Sequence, residues 1–270
     1  EEAIDAFAKH YLKPGDDGFF DAYKGEAYAI DAMSGKAEQF IRRYQDSAFF
    51  LYLPFTIPHV SLQVPDSALE QYLGKFQETP YLGQQGYSPH RYPLSAYAAM
   101  ISALDAEVGK VFALLKELGL DENTLVMFSS DNGPTFNFGV DAKFFNSTAG
   151  LRGLKMDVYE GGIRVPMIAR WPGKIKAGSM TDHPSAQYDV LATLCDAADI
   201  PIPEDTDGIS FLPTLLDRGN QQQHTFLYFE YPEKGGQVAV RMNKWKGVKT
   251  NLRSDPDNPW ELYDLHEDRF

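Results

Sequence analysis

Cysteine is almost missing from this chain: one residue in 270, Cys195. That count excludes an internal disulfide and any zinc site built on several thiolates. Positive charge is also scarce, with 25 Lys+Arg against 38 Asp+Glu and a formal net charge of −13. Nucleic acid and anionic membrane surfaces are therefore excluded as partners, because counterion release needs a Lys/Arg face. A small basic pocket for one anion stays compatible with the total. No run reaches the ~20 apolar residues of a membrane span. Residues 1–12 begin with two glutamates and build no apolar leader. What is present is a globular composition, 43% hydrophobic and 13% aromatic, which supports a packed core rather than disorder. The length predicts one large domain, or one domain with a small appendage.

Three continuous apolar runs, 48–55, 125–129 and 165–170, read as strands buried under helices on both faces. The spacing of Tyr97, Met100, Ile101, Leu104, Val108, Val111, Phe112, Leu115 and Leu118 predicts a helix over 94–118, opened by Pro93 and closed at Gly119. Further helices are expected over 31–44, 189–198 and 211–216, the last capped by Ser210. From Thr225 onward, short strand candidates at 226–231, 237–241, 244–250 and 260–265 alternate with Gly, Pro and Asp turns. The expectation is an α/β domain over residues 1–222, with a small antiparallel β subdomain over 223–270.

Three segments carry candidate chemistry. In Ser130-Asp131-Asn132-Gly133-Pro134 a strand ends in a carboxylate and an amide. Ligands of open α/β sheets bind beyond the carboxyl ends of strands, and two hard oxygen donors suit Ca²⁺ or Mg²⁺. The same tripeptide is also ordinary turn chemistry. The segment 150–166 is glycine-rich and places Arg152, Lys155 and Arg164 in one loop, where backbone and a lysine could approach a tetrahedral oxyanion. Solvated loop charges would look alike. In Ile57-Pro58-His59 a histidine follows a strand candidate, a position from which it could donate a proton to a leaving group. His183 and His224 lie near segment boundaries and are expected to make local hydrogen bonds; His10, His90 and His266 have no readable context.

In this order, these segments resemble the sulfatase family of the alkaline-phosphatase superfamily. The resemblance includes Ser130-Asp131-Asn132-Gly133, Gly150-Leu151-Arg152-Gly153-Leu154-Lys155, Tyr159-Glu160-Gly161-Gly162-Ile163-Arg164-Val165-Pro166, Asp207-Gly208-Ile209-Ser210 and Glu261-Leu262-Tyr263-Asp264-Leu265. It implies part of an alkaline-phosphatase-like sheet flanked by helices. It also implies Asp131 and Asn132 as ligands of one Ca²⁺, Lys155 as a sulfate contact, and His59 as the proton donor to the leaving alcohol. The substrate would be a small-molecule or glycan sulfate ester. Family members are usually exported.

The family's nucleophile is a formylglycine made in a C/S-x-P-S-R motif, which this chain does not contain. Cys195, in Thr193-Leu194-Cys195-Asp196-Ala197, cannot replace it. The chain therefore resembles the later part of a sulfatase without the N-terminal half, and alone is expected to be inactive. A truncated sheet would also invite self-association. A phosphate or phosphonate esterase of the same superfamily and a non-catalytic binding module are the competing readings.

Overall fold

The computed structural model describes residues 12–135 and 138–268. His10 and the leader reading of residues 1–11 lie outside the described residues. The chain divides into two compact units, Glu1–Asp121 with Thr135–Asp141, and Glu122–Pro134 with Ala142–Phe270.

The first unit is helical. Helix α1 (Ala29–Tyr44) buries Ile30, Ala37 and Ile41, a spacing of one helical face. It packs on α3 (Pro93–Glu117), and a forked contact from Arg42 to Glu117, 2.8 and 3.2 Å, joins their C-terminal ends. The short α2 (Asp66–Leu69) also lies against α3. Proline occupies the first turn of α3, where a missing N–H costs nothing. The next two amides, of Leu94 and Ser95, donate to the Glu78 carboxylate at 3.1 and 2.9 Å. The other end stops at Gly119, whose φ of +68° most side chains would resist. The buried stripe of α3 is shifted from the expected one. Tyr97, Met100 and Leu115 are inside with Ala96, Ala99 and Leu114, while Ile101 is exposed.

The expected strand over 48–55 is absent: the segment is in neither helix nor strand. Phe50 and Tyr52 are 69% and 76% exposed, alternating with half-buried Leu51 and Leu53. Apolar composition dictates burial preference, but a strand also needs a partner for its backbone, and local sequence does not specify one.

In the second unit, β1 (Val126–Ser129) pairs with β2 (Met167–Arg170), from Val126↔Arg170 to Ser129↔Met167. The pair is antiparallel and half-buried, with Ile168 exposed, where the apolar runs suggested covered strands. The short α4 (Glu160–Ile163) precedes β2, and α5 (Asp189–Ala197) and α6 (Leu212–Leu215) follow it. The expected cap of α6 is Ser210, but the N-cap is Phe211 and makes no side-chain cap bond; Ser210 lies one residue earlier, its Oγ accepting from the Leu212 amide at 3.2 Å. Cys195 is buried in α5.

The chain then forms a four-stranded antiparallel meander, β3 (Leu227–Tyr231), β4 (Gln237–Met242), β5 (Trp245–Lys249) and β6 (Glu261–Asp264), in sequence order. Its inner face sets Ala239 and Val248 against Val158, with Tyr159, Phe229, Tyr231 and Tyr263 around them. The register Tyr228↔Val240↔Gly247↔Leu262 runs across the other face, where Tyr228 and Leu262 are exposed. The fold is thus mixed helix and strand with antiparallel sheets.

Candidate active site

The turn after β1 and the glycine-rich loop before β2 are locked backbone to backbone. The Gly133 amide donates to the Gly162 carbonyl at 2.8 Å, and the Lys155 amide donates to the Pro134 carbonyl at 2.8 Å. Only residues without a Cβ permit this approach. A Cβ on Gly133 would fall well inside contact distance of the Gly161 carbonyl, one on Gly161 would strike Gly153, and one on Gly162 would strike Asp157. The glycines thus serve close packing, and Lys155 is set beside the Asp131-Asn132 turn.

Within that turn Asp131 is exposed and Asn132 half-buried. The Asp131 carboxylate has no hydrogen bond or ion pair among the described residues. The Asn132 amide nitrogen donates to the Gly133 carbonyl at 2.9 Å, which leaves its side-chain oxygen open as an acceptor. Ser130 Oγ closes the turn on the Asn132 carbonyl at 2.9 Å, and Gln187 Nε2 braces the Ser130 carbonyl at 2.9 Å. Two free hard oxygens suit a cation such as Ca²⁺, although Ca²⁺ takes six to eight. Among the described residues no group of three or more His, Cys, Asp or Glu is placed to hold a metal. The pair supplies at most two of the oxygens such a shell needs.

The three loop cations have different fates. Arg152 bonds Glu261 at 3.0 Å and Tyr159 Oη at 3.2 Å, contacts Tyr263 Oη, and lies 4.0 Å over the Tyr159 ring. Arg164 is within 3.5 Å of Glu160. Lys155, half-buried, has no ion pair among the described residues. An unpaired ammonium is the one of the three available to an anion.

His59 belongs to the first unit. It is exposed; its Nδ1 lies 2.5 Å from the Val60 carbonyl, and its ring meets Tyr87 edge-on at 6.1 Å. A backbone acceptor on Nδ1 fixes the tautomer and leaves Nε2 as the nitrogen open to a ligand.

Two buried polar pairs escaped the sequence reading. Lys246 Nζ lies 2.8 Å from Glu160 Oε1, with side chains 2% and 7% exposed. Burial pushes the Lys246 ammonium below its ordinary value, against the pull of Glu160. This pair ties β5 to α4, directly after the lysine loop. His224 Nε2 lies 2.7 Å from Asp189 Oδ1, and Asp189 also accepts from the Ala186 and Ile209 amides at 2.7 and 2.8 Å. The His224 bond is therefore not the local one expected, its partner lying 35 residues back, and Asp189 draws three segments onto the start of α5.

Glu261 supplies a prediction about acid. Burial alone would raise its carboxyl, but hydrogen bonds from Tyr263 and Tyr159 and the Arg152 charge outweigh it and hold the pKa below the ordinary value. A depressed carboxyl stabilises the fold above its unfolded pKa, about 4.3, and that contribution fades as pH falls through the folded value. Glu261→Gln should therefore cost stability at pH 7 and progressively less below about pH 4, as read by urea denaturation at both pH values. An equal cost throughout would remove the carboxylate from the clamp.

The family model described as Sulfatase matches residues 4–200, and one described as N-sulphoglucosamine sulphohydrolase, C-terminal, matches residues 154–269. The chain is 34% identical to arylsulfatase A of Homo sapiens over 90% of its length and 46% of the relative's. It is 32% identical to steryl-sulfatase of Rattus norvegicus, over 90% of this chain and 40% of that one. Among solved structures, Ps i-CgsB in complex with k-i-k-neocarrahexaose aligns with a TM-score of 0.74 and 29% identity, over 90% of this chain and 50% of that one. The chain thus spans about half the length of the relatives it matches.

Proposed function

From a chain that belongs to the sulfatase family, we propose that it is the later part of a hydrolase of sulfate esters. The observation that supports the reading is Lys155, the loop cation without an ion pair among the described residues, whose backbone amide donates to the carbonyl of Pro134, two residues beyond Asn132. In this reading the Lys155 ammonium neutralises charge on the sulfate oxygens, which counts most where that charge grows towards the transition state. His59 Nε2 gives a proton to the departing alcohol oxygen. Asp131 and Asn132 contribute two of the oxygens that hold Ca²⁺, which when bound offsets the negative charge of the sulfate group. The attacking group comes from outside this chain, as a formylglycine. Because the oligosaccharide in the Ps i-CgsB structure is a carbohydrate, we favour a glycan sulfate over a small aryl ester, in an exported protein.

The test uses the full-length protein with an aryl sulfate, a sulfated oligosaccharide and a phosphonate monoester. Sulfate should be released, and Lys155→Ala should lower kcat/KM on the order of a hundredfold. Lys176→Ala, in an ordinary loop, should leave it unchanged. The 270-residue chain alone should give no steady turnover, with or without Ca²⁺, because an unactivated serine could at most be sulfated once. Preference for the phosphonate, or equal effects of the two lysine substitutions, would overturn the reading.

A further inference from the structure

The lysine loop is held from the C-terminal sheet by a residue that no charge or motif singles out. Gln237, the first residue of β4, is 3% exposed. Its side-chain Nε2 donates to the Met156 carbonyl at 3.0 Å, and its Oε1 accepts, more weakly, from the Val158 amide at 3.5 Å. Met156 is left-handed, at φ +74°, a region that unbranched side chains avoid unless the surroundings impose it. Donor and acceptor on one planar group match the carbonyl and amide two residues apart, as a neighbouring strand would. The side-chain amides of Gln and Asn offer that pair without a change of protonation, and Asn is one methylene shorter. A buried amide left unbonded is unfavourable, so the contact also confines the glutamine.

We propose that Gln237 is a positioning residue for Lys155. Lys155 is pinned on its N-terminal side, where its amide donates to Pro134 at 2.8 Å. On its C-terminal side the next residue is Met156, in a conformation that Gln237 secures. Asp157 completes the turn, its carboxylate accepting from the Leu154 amide at 3.0 Å and from Lys234 Nζ at 2.6 Å. The loop therefore holds Lys155 between two fixed peptides, one belonging to the β1 turn and one answering to the sheet. The role rests on Lys155 being the sulfate contact proposed above; the Gln237–Met156 coupling does not.

Amide hydrogen exchange on the 270-residue chain tests this. Gln237→Met keeps the bulk and loses both bonds; Gln237→Glu, read at a pH that keeps its carboxylate ionised, keeps the acceptor and loses the donor. In the methionine variant exchange at Lys155 and Val158 should accelerate at least about tenfold, while Ala239 and Val248 on the inner sheet keep their protection. In the glutamate variant Val158 should stay protected and Lys155 should still accelerate, a split that mere loss of packing would not produce. Wild-type exchange at Lys155 in both variants would overturn the proposal, as would uniform acceleration across the sheet. If the methionine variant does not fold, the glutamate variant decides alone. In a parallel arm, inorganic sulfate should slow acetylation of Lys155 in the wild type. Failure of that arm removes the sulfate reading and the role with it, and the exchange pattern still decides the Gln237–Met156 coupling.

Discussion

Lys246→Met is expected to destabilise the second unit by about 3–5 kcal/mol, the cost of leaving one partner of a buried ion pair behind. The partner is Glu160, whose carboxylate is held off solvent between β5 and α4. Arg164, 3.5 Å away and largely exposed, is too loosely placed to replace the ammonium. Adding Glu160→Gln removes the stranded charge and should recover most of the loss, because apolar or neutral replacement of a whole buried pair is often tolerated. The pH dependence has a definite sign. The folded-state pKa of Lys246 lies below 10.5, so between the two values the unfolded chain binds more protons. Wild-type stability should rise with pH across that window, and the methionine variant should lack the slope. A urea midpoint within experimental error of wild type would mean that the pair does not form.

A methyl group at Gly161 should be nearly as damaging. Its Cβ would overlap the Gly153 carbonyl and lie 2.8 Å from the carbonyls of Arg152 and Leu151, all backbone atoms with no rotamer to yield. Gly133 and Gly162 face the same obstacle from the other sides of the junction. Gly161→Ala is expected to cost at least about 3 kcal/mol and to separate Lys155 from the Asp131-Asn132 turn. Gly109→Ala, in mid-helix α3 with nothing within 4 Å, should instead stabilise by about 0.5–1 kcal/mol. Opposite signs for one chemical change would place the cause in the junction. Similar effects at both positions would contradict the close packing described here.

The sequence was most readable where its signals are local. Pro93 begins α3 and Gly119 lies two residues beyond its last residue, because end signals act within one turn. The four C-terminal strands appear where alternation and turn residues put them. The run over 48–55 misled because apolar character reports burial and not pairing. The antiparallel sense of β1 and β2 was invisible for the same reason: nothing in either strand names its neighbour. Asp131, Asn132 and Lys155 stand out in the sequence as motif residues. The bond from Lys155 to Pro134 and the pairing of Arg152 with Glu261, 109 residues on, required coordinates. Lys246 could have been found from alternation. Val248 is an inner-face residue, so position 246 shares its face, and a lysine there demands a buried partner. Gln237 stands in the same relation to Ala239.

The division into two units also determines which spectroscopic signal reports on which part of the molecule. All three tryptophans, Trp171, Trp245 and Trp260, fall in the second unit, while the two longest helices belong to the first. Tryptophan emission will therefore follow the unit that carries Lys155, and helical ellipticity at 222 nm will be weighted towards the unit that carries His59. Trp171 is buried, with its indole N–H bonded to the Glu122 carbonyl at 3.2 Å, whereas Trp245 and Trp260 are half exposed. An aqueous quencher such as iodide should remove the redder emission of the sheet pair and leave a blue-shifted core signal. Noncoincident emission and ellipticity curves in one titration would then measure the stabilities of the two units separately, with no label and no truncation.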